Sequence, residues 1–183
     1  MENRIIIAGS GGQGILFLGK LIAYSGMLSG KEVTWFPSYG AEMRGGTANC
    51  TVIVSDEMIG SPVTRNPNIL IVMNEASYKR FTERLLPGGV LIHDSSLINL
   101  ESQTINSKYR IIGVPATEVS ASLKSTKSAN MVMAGAFIGG THALNIDSVI
   151  QAVDEISPSR MKELANINKV LIKKGYDLAV TSR

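Results

Sequence analysis

Three stretches of this chain carry residue types whose spacing could do chemistry. The first is Gly9-Ser10-Gly11-Gly12-Gln13-Gly14, a match to G-x-G-x-x-G. Glycines in this pattern permit a tight turn, and the N–H groups that open the following helix offer positive potential to an anion. A dinucleotide site also needs an acidic residue at the end of the next strand to hold the ribose hydroxyls. That position falls around Thr34-Trp35-Phe36-Pro37, which contains no Asp or Glu, so NAD is disfavoured. A Walker loop is excluded because no G-K-[ST] follows; Gly19-Lys20-Leu21 lies inside the helical pattern. The structural alternative is that the glycines serve only close packing of helix on sheet.

The second stretch is Ser38-Tyr39-Gly40-Ala41-Glu42-Met43-Arg44-Gly45-Gly46. A polar loop after the second strand falls on the carboxyl edge of the sheet, where open α/β sheets place ligands and interfaces. Arg44 offers a fixed fork of donors to a carboxylate or phosphate, and Gly45 and Gly46 allow close backbone approach. Glu42 could act as a base or equally as the ion-pair partner of Arg44. The third stretch is His93-Asp94-Ser95-Ser96. Hydrolytic triads converge from separate elements, and neighbours on one strand point to opposite faces. No G-x-S-x-G elbow is present, so a loop that caps its own backbone groups is the better reading. Catalytic residues are therefore expected to be absent from this chain.

Metal and redox chemistry find equally little support. The one cysteine, Cys50, rules out an internal disulfide framework, a CxxC site or a cysteine-ligated cluster within the chain. It reads as a small core residue, and the Asn49-Cys50-Thr51 glycosylation match, set in a strand, as chance. His142 reads as a helix residue, and two histidines without clustered carboxylates make no metal site. The formal net charge of +3, from 18 basic and 15 acidic residues, argues against a nucleic-acid partner. The apolar run Ile5-Ile6-Ile7 is far too short for a signal-peptide core or membrane span, so the expected location is cytoplasmic with no membrane contact.

The elements that must position these residues follow from the apolar pattern. Arg4 to Ala8 reads as a buried strand, Gln13 to about Ser29 as a helix with Ile15, Leu18, Gly19, Ile22 and Gly26 on one stripe, and Gly30 as its C-cap. Val33 to Phe36 is a second strand ended by Pro37, giving a βαβ unit. Thr47 to Val54 reads as a strand that turns at Ser55-Asp56-Glu57 into a second arm ending at Pro62, a hairpin inserted in the sheet. Strands follow at Ile69–Met73, Val90–Ile92 and Arg110–Val114, with a helix over Glu75–Leu86 that buries Tyr78, Phe81 and Leu85. Beyond Pro115, helices are expected at about 116–124, 131–144, 147–155 and 159–175, capped by Asn130, Asp147 and Ser157 with Pro158 at the last N1 position. With 44% hydrophobic residues and 183 in all, the chain suits a single domain, 1–183. The fold class is α/β: a doubly wound, mostly parallel, Rossmann-like sheet with an inserted β-hairpin and a helical C-terminal part.

Gly11-Gly12-Gln13-Gly14, the Ser38–Gly46 loop and Thr47-Ala48-Asn49-Cys50 resemble the gamma subunits of 2-oxoacid:ferredoxin oxidoreductases. Ser61-Pro62, Met73-Asn74, Leu86-Pro87-Gly88-Gly89, Asp94-Ser95-Ser96-Leu97-Ile98 and Asn130-Met131-Val132-Met133-Ala134-Gly135 extend the similarity over about residues 4 to 145. Ala41 departs from the pattern, where proline is expected. The resemblance implies oxidative decarboxylation of a 2-oxoacid to an acyl-coenzyme A, with electrons passed to ferredoxin. It implies that thiamine diphosphate and magnesium sit between alpha and beta subunits, and iron–sulfur clusters in other chains, a ferredoxin-like delta subunit among them. No cofactor is then held by this chain alone. Gly11, Gly12, Gln13, Gly14, Ser38, Tyr39, Glu42, Arg44, Gly45 and Gly46 are the residues expected to contact coenzyme A, and the Ser-Tyr-Gly loop tilts the substrate toward 2-oxoglutarate over pyruvate. The alternative is a free-standing nucleotide-binding Rossmann-like protein.

Overall fold

The computed structural model describes residues 1–38, 47–100, 108–158 and 161–181. Six strands form one sheet: β1 (Glu2–Ser10), β2 (Glu32–Ser38), β3 (Thr47–Ser55), β4 (Ile69–Val72), β5 (Val90–Asp94) and β6 (Arg110–Val114), in the order β2-β3-β1-β4-β5-β6. β1, β4, β5 and β6 are parallel, and β3 runs antiparallel to both β1 and β2. The consecutive isoleucines of β1 are explained by this setting. Ile5 and Ile7 enter a large core on one face, Ile6 and Ala8 a smaller one on the other, so both faces demand apolar side chains.

Three expectations about the sheet need correction. β1 and β2 are not neighbours, because β3 lies between them and pairs with both. The antiparallel hairpin exists, but it is β2–β3; no strand follows the turn after Ser55, so residues 57–62 do not form the second arm. Pro37 also sits inside β2 rather than ending it, tolerated because β2 is the sheet edge.

Helix α1 (Ile15–Leu28) lies over β3 and β2 through its expected stripe. A Cβ at Gly19 would fall 2.5 Å from Cys50 Sγ and 2.9 Å from Trp35 Nε1, so glycine there sets the helix–sheet distance. The helix closes on Gly30 at φ 69°, with Lys31 N–H donating to the Gly26 carbonyl and Gly30 N–H to that of Met27. This is the Schellman arrangement that satisfies the last carbonyls. Helix α2 (Glu75–Phe81) covers the opposite face and continues as a 3₁₀ turn through Arg84, burying Phe81 and Leu85 and half-burying Tyr78.

The C-terminal part comprises α3 (Ala116–Ser122), α4 (Ala129–Thr141), α5 (Ile146–Ile156) and α6 (Lys162–Thr181). Helix α4 is buried from Ala129 through Gly140, wedged between the sheet and α6. The α4–α6 crossing is backbone on backbone: a Cβ at Gly139 would lie 2.5 Å from the Tyr176 carbonyl oxygen, and one at Gly135 or Gly175 would collide with the Ile172 or Val132 carbonyl. Three helix starts differ from expectation. Asn130 lies inside α4, its side chain drawn off to Gly14; Asn145, not Asp147, caps α5 by accepting from Asp147 N–H at 3.0 Å; Ser157 closes the C-terminus of α5.

Candidate functional site

The glycine loop stands at the carboxyl end of β1, beside β4, where the chain's strand order diverges to either side. Such a switch point is where open α/β sheets leave a crevice. Gly12 (φ 93°) and Gly14 (φ 72°) both occupy the left-handed region that favours glycine, and Gly14 is the N-cap of α1. Gly11 and Gly12 are exposed, with no atom near the place a Cβ would take at Gly12. A Cβ at Gly14, by contrast, would strike the Asn130 amide. The two exposed glycines are thus free to meet a ligand, while Gly14 is needed for packing.

Gln13 is committed within the chain. Its Oε1 accepts from Ser10 N–H at 2.6 Å, and its Nε2 donates to the Met73 carbonyl at 2.8 Å. Gln13 therefore braces the loop across the crevice from β1 to the end of β4. Asn74 adds a second brace: its Nδ2 donates to Ser10 Oγ at 2.5 Å, while its Oδ1 caps α2 by accepting from Ser77 N–H at 2.7 Å. Asn130 supplies a third, donating from Nδ2 to the Gly14 carbonyl at 3.2 Å. Asn74 and Asn130 were not singled out as site residues from sequence. For Asn74 a signal existed, an Asn between a buried strand and a helix.

Ser38 is exposed at the carboxyl end of edge strand β2. The register pairs Ser10 with Thr47 and Ser38 with Asn49, so both flanks of segment 39–46 stand on the same edge as the glycine loop. Tyr39, Glu42, Arg44, Gly45 and Gly46 fall outside the described residues.

The other candidate groups are structural. Asp94, fully buried, accepts from Ser96 N–H at 3.1 Å, Thr117 N–H at 3.3 Å and Thr117 Oγ1 at 2.6 Å, tying the end of β5 to α3. His93 is 5% exposed, and burial lowers its pKa below the usual 6.5, with the nearby Asp94 opposing. Cys50 is buried under α1, and desolvation pushes its thiol up to about 12, so no thiolate forms near neutral pH. Among the described residues no group of three His, Cys, Asp or Glu is placed to hold a metal, and no helix is long and apolar enough to cross a membrane.

The sheet order and the braced glycine loop define an open α/β domain with its loop at the carboxyl edge of the central strand. The chain belongs to the pyruvate ferredoxin/flavodoxin oxidoreductase family, whose profile matches residues 4–178. It is 31% identical over 179 residues to ketoisovalerate oxidoreductase subunit VorA of Methanothermobacter thermautotrophicus, covering 97% of this chain and 36% of that protein. The chain thus spans about a third of the length of that relative. It is 30% identical over 181 residues to 2-oxoglutarate synthase subunit KorC of Methanocaldococcus jannaschii, covering 98% of this chain and 95% of KorC. Two solved structures share the fold. The gamma subunit of a keto/oxoacid ferredoxin oxidoreductase from Geobacter sulfurreducens superposes with TM-score 0.83 at 24% identity, over 98% of this chain and 99% of that one. A 2-oxoglutarate:ferredoxin oxidoreductase from Magnetococcus marinus, solved with 2-oxoglutarate, coenzyme A and succinyl-CoA, superposes with TM-score 0.89 at 24% identity, over 98% of this chain and 31% of that one.

Proposed function

We propose that this chain, acting as one domain over 1–183, is the gamma-type subunit of a cytoplasmic 2-oxoacid:ferredoxin oxidoreductase. The complex converts a 2-oxoacid, of the 2-oxoglutarate type, to its acyl-coenzyme A and passes the electrons to ferredoxin. The observation that carries this reading is the match to KorC over nearly the full length of both chains. Alpha and beta subunits, and a ferredoxin-like delta subunit, supply the chemistry. The donor set in this chain does not fit the redox and thiamine groups: the described residues offer no carboxylate cluster for magnesium, and Cys50 offers no thiolate for a cluster.

What this chain contributes to the reaction is a contact for coenzyme A. Exposed Gly11 and Gly12 allow close backbone approach, and Arg44 with Gly45 and Gly46 supplies an anion fork from the adjoining segment. Gln13, Gly14, Ser38, Tyr39 and Glu42 belong to the same proposed contact, and the bonds of Gln13 to Met73 and of Asn130 to Gly14 hold the loop in shape for it. The test is to isolate the complex from its native cells and assay ferredoxin reduction with 2-oxoglutarate, pyruvate and branched-chain 2-oxoacids. Activity with 2-oxoglutarate by the complex, and none by the isolated chain, is expected. Unchanged coenzyme A affinity in an Arg44→Ala complex that assembles intact would remove Arg44 from the contact.

A further inference from the structure

We infer that the Ser10 hydroxyl is a further contact for coenzyme A, held by Asn74 as a hydrogen-bond donor to a phosphate oxygen; this rests on the coenzyme A contact proposed for the glycine loop. Ser10 ends β1 and Asn74 follows β4, so the hydroxyl stands where the carboxyl ends of two adjacent parallel strands meet. Ser10 is exposed there, next to exposed Gly11 and Gly12. Its other polar groups are spent within the chain. The Ser10 N–H donates to Gln13 Oε1 at 2.6 Å, and its carbonyl accepts from Gln13 N–H at 3.2 Å. Its Oγ accepts from Asn74 Nδ2 at 2.5 Å. What Ser10 has left to offer is the hydrogen of its hydroxyl.

The orientation of the Asn74 amide decides how that hydrogen is used. An asparagine oxygen and nitrogen exchange places by a half-turn, but here the choice is fixed. Oδ1 accepts from Ser77 N–H at 2.7 Å as the N-cap of α2, which leaves Nδ2 to face Ser10. Two donors do not point at each other, so the Ser10 hydrogen turns away from Nδ2 and toward the open side of the loop. A serine hydroxyl ordinarily rotates between donating and accepting; this one is presented as a donor. Its neighbours have the same sense, because the N–H groups of Gly11 and Gly12 donate to no backbone carbonyl among the described residues. Glu75, the carboxylate next to Asn74, is drawn into an ion pair with Lys79 at 2.7 Å. Donors gathered at one loop bind a charged oxygen more strongly than a neutral carbonyl. Within coenzyme A they therefore select a phosphate over the amides of the pantetheine arm.

The test is steady-state ferredoxin reduction by the intact complex, with coenzyme A and 2-oxoglutarate varied separately. Ser10→Ala should raise the KM for coenzyme A about tenfold and leave kcat and the KM for 2-oxoglutarate unchanged. Asn74→Asp keeps an acceptor for Ser77 N–H, but it draws the Ser10 hydrogen onto its own carboxylate and sets a negative charge beside the phosphate. Its KM for coenzyme A should rise by more than about tenfold. Asn74 is a positioning residue that acts through Ser10, so adding Ser10→Ala to Asn74→Asp should raise that KM no further. A double variant weaker than Asn74→Asp by the full effect of Ser10→Ala overturns the positioning role. A coenzyme A KM within about twofold of wild type in Ser10→Ala, while Arg44→Ala is weakened, overturns the Ser10 contact and leaves the coenzyme A contact of the subunit standing. No change in either variant overturns both. A lower kcat, or an equal rise in the KM for 2-oxoglutarate, makes Ser10 a structural residue of the loop and also overturns the inference.

Discussion

If Gln13 braces the glycine loop, replacing it weakens the fold itself as well as any ligand contact. Gln13→Leu keeps the size of the side chain but removes the bond from Ser10 N–H, which is exposed, and the donation to the Met73 carbonyl, which is half-buried. The first contributes at the low end of the usual range, about 0.5 kcal/mol, since water can replace it. The second leaves a carbonyl at the end of a buried strand without its donor, costing about 1–2 kcal/mol. The sum is about 2 kcal/mol, or a Tm lower by about 4–8 °C for a chain of this length. Gln13→Glu is the sharper probe. It retains an acceptor for Ser10 but sets a carboxylate against the Met73 carbonyl, so it should lose at least as much as leucine. Urea unfolding followed by circular dichroism measures both variants, and amide exchange at Ser10 locates the loosening. Stabilities of both within about 0.5 kcal/mol of wild type, the range of ordinary surface changes, would refute the brace. Gln13 would then be free to serve as a ligand contact.

Other perturbations test the packing and the titratable groups. Gly135→Ala drives a methyl into the backbone of α6 at Ile172, so a loss of about 3 kcal/mol or more is expected in chemical denaturation; a near-neutral result would contradict the close crossing. Cys50, with its thiol pushed to about 12, should resist an aromatic disulfide reagent at pH 8 until the protein unfolds, whereas rapid native-state labelling would place it elsewhere. His93 has a folded pKa below its unfolded value of 6.5, so the unfolded chain binds the extra proton first. Stability is then full above pH 6.5 and falls as the pH drops below it. Urea midpoints at pH 7.5 and 5 should differ less in His93→Leu than in wild type, and an identical difference would exclude His93 as a source of the acid sensitivity.

Much of the architecture was readable because local rules and burial agree. The isoleucines of β1, the α1 stripe with Gly19 and Gly26, the Gly30 cap and strand Arg110–Val114 each obey one strong signal. The misreadings arose where a long-range partner overrode a local preference. Asn130 looks like a cap, yet its amide is claimed by Gly14, 116 positions away. Pro37 looks like a strand end, but an edge strand has a side on which no ladder donor is needed. The hairpin falls one strand earlier than the local pattern suggests, because Thr47–Ser55 can pair on either side and only its register with both β1 and β2 decides which.

The amino-acid string already shows that a glycine loop joins a buried strand to a helix, that no acid follows to hold a ribose, and that one cysteine cannot build a cluster. These are properties of residue type and short spacing, and they need no fold. Tertiary structure alone decided what the loop's residues do. It divided four residues of similar promise into exposed Gly11 and Gly12, packed Gly14, and a Gln13 spent on the Met73 carbonyl. Whether a polar group is free for a ligand depends on which backbone atoms reach it in space, and that is settled only when the sheet and helices close.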